Sequence, residues 1–213
     1  MHALQLPLGM ASAPAFDPAF RRSSRIDLGA GAWIDHVHGW ISGAEVLFER
    51  LERSLTWRED QRRMYEKIVD VPRLRASYPR DGAGDPILDA MATALGPRYG
   101  ASFDAITLAL YRDGRDSVAW HRDRYHRDRE TSVVCVASLG GPRRFMVRPF
   151  ERTSGTRSIA FDIHSGDLVV MGGSCQRTVE HTVPKVRAAN ARMALMFRHS
   201  LPISALAGDA ARG

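Results

Sequence analysis

Val118-Ala119-Trp120-His121-Arg122-Asp123 is the stretch from which the rest of this chain is read. It follows the turn pair Asp113-Gly114 and combines a β-branched head with an aromatic residue, so it reads as a strand. Residues two apart on a strand share a face, so His121 and Asp123 aim an imidazole and a carboxylate at one point while Arg122 points away. His181, inside the strand-like run from Thr178 to Val183, offers a third donor. Two histidines and one carboxylate on one side of a metal leave the opposite positions open, which suits a non-haem Fe(II) that binds a co-substrate and O2 together. A charged surface strand with a salt-bridged Asp123 produces the same triplet, so the surroundings must decide.

Outward from this stretch, short apolar runs alternate with turns and the helical period is lost from Ala101 onward. Strands are expected over Ile106 to Tyr111, Val118 to Asp123, Ser132 to Leu139 and Phe145 to Arg148. Ser158 to Ile163, Asp167 to Met171, Thr178 to Val183 and Arg192 to His199 follow. Strands this dense make a sandwich or barrel. In the last of them Arg192, Ala194, Met196 and Arg198 share one face and Met193, Leu195 and Phe197 the other. One face thus has a cation at each end with a small residue between, suited to a dicarboxylate because guanidinium groups pair with carboxylates through two parallel hydrogen bonds. Two surface arginines on a final strand are the plain alternative.

Before residue 101 the signals are helical. Ser42-Gly43-Ala44-Glu45 has capping-box spacing, with Ile41 placed to staple onto Val46, and predicts a helix burying Val46, Leu47, Leu51 and Leu55. A second helix is expected from Asp85 as N-cap and Pro86 at the first position, through Ile87, Leu88, Met91 and Leu95, to a stop at Gly96. Ala32 to His38 reads as extended, and Lys67 to Gly84 as loops or short strands.

Tyr111, the His121/Asp123 pair, His181 and the Arg192/Arg198 pair stand in the order, and on the element types, of the AlkB family of Fe(II)/2-oxoglutarate-dependent dioxygenases. The chain resembles that family from about residue 100 to 199, and more loosely from Trp57. The phrases carrying the resemblance are Tyr111-Arg112-Asp113-Gly114, Trp120-His121-Arg122-Asp123, Ser138-Leu139-Gly140, Gly166-Asp167 through Gly173, and Arg192 through Phe197 to Arg198. The resemblance implies a mainly β fold with flanking helices, a double-stranded β-helix or jelly roll with an N-terminal α/β lid region. It also implies Fe(II) on His121, Asp123 and His181. Arg192, helped by Tyr111, would clamp the distal carboxylate of 2-oxoglutarate, and Arg198 would stabilise the carboxylate nearer the metal. The implied activity is oxidative dealkylation of N-alkylated bases in DNA or RNA, a nucleic-acid repair reaction using O2 and releasing a methyl group as formaldehyde.

Four positions depart from the family pattern. Ala109 and Ala194 stand where polar asparagines often contact the co-substrate, Tyr125 where some members carry a second acid, and Met171 where some carry Trp. Tyr125 leaves a protein or small-molecule substrate open, and the two alanines leave open a nucleic-acid-binding module with a degenerate metal pocket. For substrate capture Tyr78 and Tyr125 rank first among the aromatics because both sit in Arg-bearing segments, with Arg124, Arg127 and Arg129 as phosphate contacts. His126 and Asp128 fall to a basic loop, His164 reads as a surface residue, and His2, His36, His38 and His199 carry no site signal.

Thirty basic residues against 24 acidic leave a net charge of +6, which suits a polyanionic partner as well as it suits a solvated basic surface. Cys135 and Cys175 lie in apolar runs and look like small core residues of a reduced, cytoplasmic protein. No apolar run is long enough to span a bilayer, the first residues lack a signal-peptide pattern, and no obligate protein partner is evident. The expected organisation is an irregular arm over 1–24, helices and a substrate-recognition lid over 25–100, the dioxygenase core over 101–200 and a tail over 201–213.

Overall fold

A computed structural model describes residues 12–64, 67–78, 84–123, 128–151 and 155–200. The N-terminal part comprises β1 (Ala15–Phe16), β2 (Ser23–Gly29), β3 (Ala32–Val37), β4 (Ile41–Ser42), α1 (Ala44–Ser54), β5 (Arg58–Met64), β6 (Lys67–Ser77) and α2 (Pro86–Tyr99). Then come β7 (Ala105–Tyr111), β8 (Val118–His121), β9 (Ser132–Gly140), β10 (Arg143–Pro149) and β11 (Ile159–Ile163). The chain continues through β12 (Leu168–Gly173), α3 (Cys175–Thr178), β13 (Val179–Val183) and β14 (Arg192–Arg198). An eight-stranded sheet runs β2-β3-β12-β9-β14-β7-β6-β5 and a four-stranded sheet runs β11-β10-β13-β8. The pairings in both are antiparallel, and together the sheets form the double-stranded β-helix. Four of the eight large-sheet strands come from residues before 78, so the N-terminal segment is woven into both edges of that sheet.

Strand alternation divides the interior in two. Val133, Cys135, Ala137 and Leu139 of β9 and Met193, Leu195 and Phe197 of β14 face outward, against Leu47 and Leu51 of α1 and Leu88, Met91 and Leu95 of α2. Val134 and Ala194 face inward, where Phe145, Val147, Phe161, Ile163, Val179 and Val183 of the small sheet meet them. Leu195 and Phe197 are fully buried, and burying each such side chain stabilises by about 1.5–3 kcal/mol. The same alternation leaves the inner faces of β14 and β13 open toward one end, where the candidate site forms.

The stretch expected as an irregular arm contains β1 and the start of β2, β5 and α3 were not expected, β8 ends at His121, and three further departures concern helix ends and a proline. In α1 the N-cap is Gly43, in left-handed conformation with φ 63, with no side-chain cap bond; Ser42 is held instead in β4, so the capping box does not close. In α2 the Asp85 carboxylate accepts from the Ile87 N–H at 3.2 Å as expected, but the helix runs on through Gly96 and Pro97 to Tyr99. Gly96 lacks the Cβ that would clash with the following proline ring, and the stop falls at Gly100, whose φ of 66 does what a C-terminal glycine does. The third departure is β6, a strand that continues through Pro72. The β5–β6 register shifts between Glu59 and Gln61, opposite that proline, as expected where a residue without an N–H interrupts a ladder. Both cysteines are free and buried, and burial pushes the Cys175 thiol up to about 11. No described helix is long and apolar enough to cross a membrane.

Candidate metal centre and its cavity

His121 and His181 are register partners on β8 and β13, with ring centroids 4.1 Å apart. Asp123 lies two residues past the end of β8, where strand pairing no longer fixes it. Its position comes from α3: the Gln176 Oε1 accepts the Asp123 backbone N–H at 2.9 Å. Asp123 Oδ1 then sits 3.6 Å from His121 Nε2 and 3.8 Å from His181 Nε2, and the three ligand atoms lie within 4.8 Å of one another. The other oxygen, Oδ2, accepts from Arg198 Nε at 2.9 Å and Nη2 at 2.7 Å, while Arg198 Nη1 donates to Thr107 Oγ1 at 2.8 Å. One carboxylate oxygen is thereby taken and the other is turned toward the two imidazoles.

The electrostatics put Asp123 and His181 in the protonation states a metal needs. Burial works to raise the Asp123 carboxyl, but His121, Arg198 and His181 outweigh it and hold the group well below the usual carboxylate range. Burial, reinforced by the neighbouring His121, lowers His181 to about 3 against the opposing pull of Asp123, so its imidazole is neutral at pH 7. His121 Nδ1 is 2.9 Å from the Ala119 carbonyl. A carbonyl only accepts, so Nδ1 carries a proton and Nε2 is the nitrogen turned to the site. Two imidazole nitrogens and one carboxylate oxygen are a donor set that fits a divalent iron.

The triad opens into a cavity of about 820 Å³ lined also by Tyr111, Val134, Met171, Arg192, Ala194, Met196 and Arg198. Arg192 is buried, its Nη2 donating to Ser138 Oγ at 2.7 Å, and among the described residues its Nε has no hydrogen-bond partner. Burial lowers its pKa, the mark of a cation short of compensating charge. The Tyr111 ring lies beneath it at 5.3 Å, and the buried Arg143 guanidinium lies 5.5 Å from the same ring. The Nε of Arg143 is likewise without a partner among the described residues, but its Nη groups are engaged with the Asp113, Asp116 and Pro184 carbonyls and, unlike Arg192, it does not line the cavity. A buried guanidinium with an orphaned Nε fits the distal carboxylate of a dicarboxylate co-substrate.

The residues expected from sequence are distributed as follows. His121, Asp123, His181, Tyr111, Arg192 and Arg198 all line the one cavity. Arg198 lines the cavity while two of its nitrogens hold Asp123, an orienting contact that the sequence did not indicate. Tyr78 is not a substrate contact: it is buried in the outer core, its hydroxyl 2.7 Å from the Asp85 carbonyl and 3.0 Å from Asp89 Oδ2. Arg129 is also off the cavity and donates to the Ser200 carbonyl. Arg124, Tyr125 and Arg127 lie outside the described residues. Ala109 and Ala194, the two departures near the co-substrate, are direct cross-strand partners, with Ser138 opposite Ala194 on its other side. Sequence reasoning missed Gln176, Thr107 and Ser138, which orient the charged groups, and Arg73, Arg75, Trp120 and Phe150, which line the cavity. Only Ser138 and Trp120, each inside one of the motif phrases, carried a signal.

This arrangement defines a class, a double-stranded β-helix with a two-histidine, one-carboxylate metal site and a buried arginine in the same cavity. The model of the 2OG-Fe(II) oxygenase superfamily matches residues 40–201, and the chain belongs to that superfamily. It is 26% identical over 181 residues to the alpha-ketoglutarate-dependent dioxygenase alkB homolog 3 of Bos taurus, covering 76% of this chain and 63% of that protein. It is 24% identical to the DNA oxidative demethylase ALKBH2 of Arabidopsis thaliana, covering 81% and 68% respectively. The chain thus spans about three fifths of the length of the alkB homolog 3 proteins it matches. Among solved structures, OsALKBH1 aligns with TM-score 0.54 at 15% identity over 82% of this chain and 100% of that one. A prolyl hydroxylase of Trichoplax adhaerens aligns with TM-score 0.53 at 15% identity over 83% of each chain. At these identities the two structures speak to the fold.

Proposed function

We propose that this chain is an Fe(II)/2-oxoglutarate-dependent dioxygenase that oxidatively dealkylates N-alkylated bases in DNA or RNA. The observation that carries the reading is that the triad and the orphaned Arg192 open into one cavity whose lining also includes Arg73, Arg75, Arg122, Trp120 and Phe150. Arg75 and the 42% exposed Phe150 mark its open side. The likeness to alkB homolog 3 and to a DNA oxidative demethylase supports the choice of substrate class.

His121, Asp123 and His181 would hold the iron. With 2-oxoglutarate and O2, bound Fe(II) supplies the oxidising chemistry, one oxygen atom ending in succinate as CO2 is lost and the other on the alkyl carbon. The carbon–nitrogen bond of the hydroxylated adduct then breaks, the ring nitrogen recovers a proton and the carbon leaves as an aldehyde. The chain's own groups bind, orient and exclude. Arg192 receives the distal carboxylate through its free Nε, held in place by Ser138. Arg198 fixes Asp123, which a mobile carboxylate could not do for itself. Val134, Val136, Val183, Phe145 and Met196 keep the interior dry while the alkyl group is placed. The open side suits an extruded base and its backbone: Arg122 lies 3.5 Å over the Phe150 ring and Arg148 4.0 Å over Trp120, an aromatic and cationic rim of the kind single-stranded nucleic acid stacks on.

The test is incubation with Fe(II), 2-oxoglutarate and air of a panel of methylated DNA, methylated RNA and methylated peptides, followed by mass spectrometry. Loss of methyl groups from oligonucleotides is the expected result. Loss from peptides alone would transfer the same chemistry to protein.

A further inference from the structure

A second group of metal-type donors lies away from this cavity, where β3 ends and β12 begins. His36 on β3 and His38 just beyond it are two apart, and their rings sit 3.8 Å apart at 41°. Across from them Asp167 Oδ2 is 3.0 Å from His36 Nε2, 3.8 Å from His38 Nδ1 and 3.8 Å from His164 Nδ1. Three imidazoles therefore converge on one carboxylate oxygen. The ligand atoms of His36, His38 and Asp167 all lie within 4.8 Å of one another.

We infer that this cluster is a second metal site, suited to Zn(II), with His36, His38 and Asp167 as ligands and the exposed His164 at its rim, outside the ligand set. A tetrahedral zinc with bonds of about 2.0–2.1 Å sets its ligand atoms about 3.3 Å apart, and the separations of His36 Nε2 and His38 Nδ1 from Asp167 Oδ2, 3.0 and 3.8 Å, straddle that value. Asp167 is oriented as a ligand's carboxylate should be: Gly39 N–H donates to Oδ1 at 2.8 Å and His164 N–H to Oδ2 at 3.0 Å. Burial raises the Asp167 carboxyl, but His36 and these two N–H groups bring it down to about 2, so it is ionised. The side chains of His36 and Asp167 are 7% and 4% exposed while those of His38 and His164 are 47% and 65% exposed, so the cluster has a fixed inner half and an outer half open to an arriving ion. A hydrogen bond from His36 to Asp167 would by itself satisfy a buried carboxylate; it gives no reason for two further imidazoles to stand within 3.8 Å of the same oxygen. Imidazole and carboxylate donors are ones that zinc accepts, as do other first-row divalent ions.

The test uses untagged full-length protein stripped of metal, titrated with Zn(II) against a chromophoric chelator and followed by thermal unfolding. Wild type should take up two zinc ions, the His121→Ala/His181→Ala protein one, and the His38→Ala/His164→Ala protein one. These last two substitutions remove exposed side chains, so the fold should stand, and the remaining zinc should sit at the first centre. Zinc should raise the unfolding temperature of the His121→Ala/His181→Ala protein, and adding His38→Ala/His164→Ala should abolish that rise. If wild type takes up only one zinc at free concentrations on the order of 1 µM, or if the second equivalent survives His38→Ala/His164→Ala, the site does not exist as described.

Discussion

Replacing Arg192 by methionine should separate co-substrate binding from folding. The guanidinium is buried, bonded to Ser138 Oγ at 2.7 Å, and its Nε has no partner among the described residues. If its counter-charge is the distal carboxylate of 2-oxoglutarate, truncation removes one side of a buried, hydrogen-bonded charge pair, which costs about 2–5 kcal/mol. At about 1.4 kcal/mol per decade, affinity for 2-oxoglutarate should fall about 30- to 4000-fold. Ligand at about 100 times its Kd stabilises a protein by about 2.7 kcal/mol. For a domain of this size that raises the unfolding temperature by about 5–11 °C. Oxygen-free, Fe(II)-loaded wild type should show that rise, and Arg192→Met at the same concentration no more than about 3 °C. Without co-substrate the variant should be as stable as wild type or more so, because an apolar side chain replaces an uncompensated charge. Unchanged 2-oxoglutarate affinity, or a loss of about 3–5 kcal/mol in the ligand-free protein, would make Arg192 a structural cation and refute the reasoning.

Two further outcomes follow from the site's charges. His181 is held neutral with its pKa lowered to about 3, while an unfolded histidine titrates near 6.5. The unfolded chain therefore takes up the proton first, and the metal-free protein should lose stability as pH falls from about 6.5 toward 3, by up to about 1.4 kcal/mol per unit. Urea unfolding across that range should show the slope in wild type and a shallower one in His181→Asn; equal slopes would contradict it. On the cavity's open side, changing Arg73, Arg75 and Arg122 to alanine should weaken oligonucleotide binding and flatten its log-log salt dependence by about 0.7–0.9 for each phosphate that no longer meets a cation. Turnover of 2-oxoglutarate without substrate should persist, and an unaltered salt slope would count against a phosphate-binding rim.

What could be read from the sequence followed from periodicity and strand geometry. The alternation from Arg192 to Arg198 states which residues face the cavity and which the helices, because on a strand between two layers each side chain has one place to go. The His121/Asp123 spacing survives although Asp123 has left the strand, since Gln176, fifty-three residues on, restores its aim. No local pattern announces such a contact. Tyr78 misleads because a tyrosine among arginines looks solvent-facing. Asp85 and Asp89 satisfy its hydroxyl, so the ring can be buried without stranding a polar atom. The two glycines of α2 offer alternative stops that only the backbone conformation at Gly100 distinguishes. His36, His38 and His164 give no signal singly; strand pairing between β3 and β12 makes them a group by bringing His36 to an aspartate 131 residues away.

Stoichiometry is the sharpest test of the proposed reaction: succinate formed and methyl groups removed from a methylated oligonucleotide, counted in one reaction for wild type and for His181→Ala. Wild type should form one succinate for each methyl removed, with formaldehyde in equal amount, and the variant should form neither product while retaining its fold. Methyl removal by His181→Ala, or succinate from wild type that no methylated nucleic acid turns into demethylation, would contradict it.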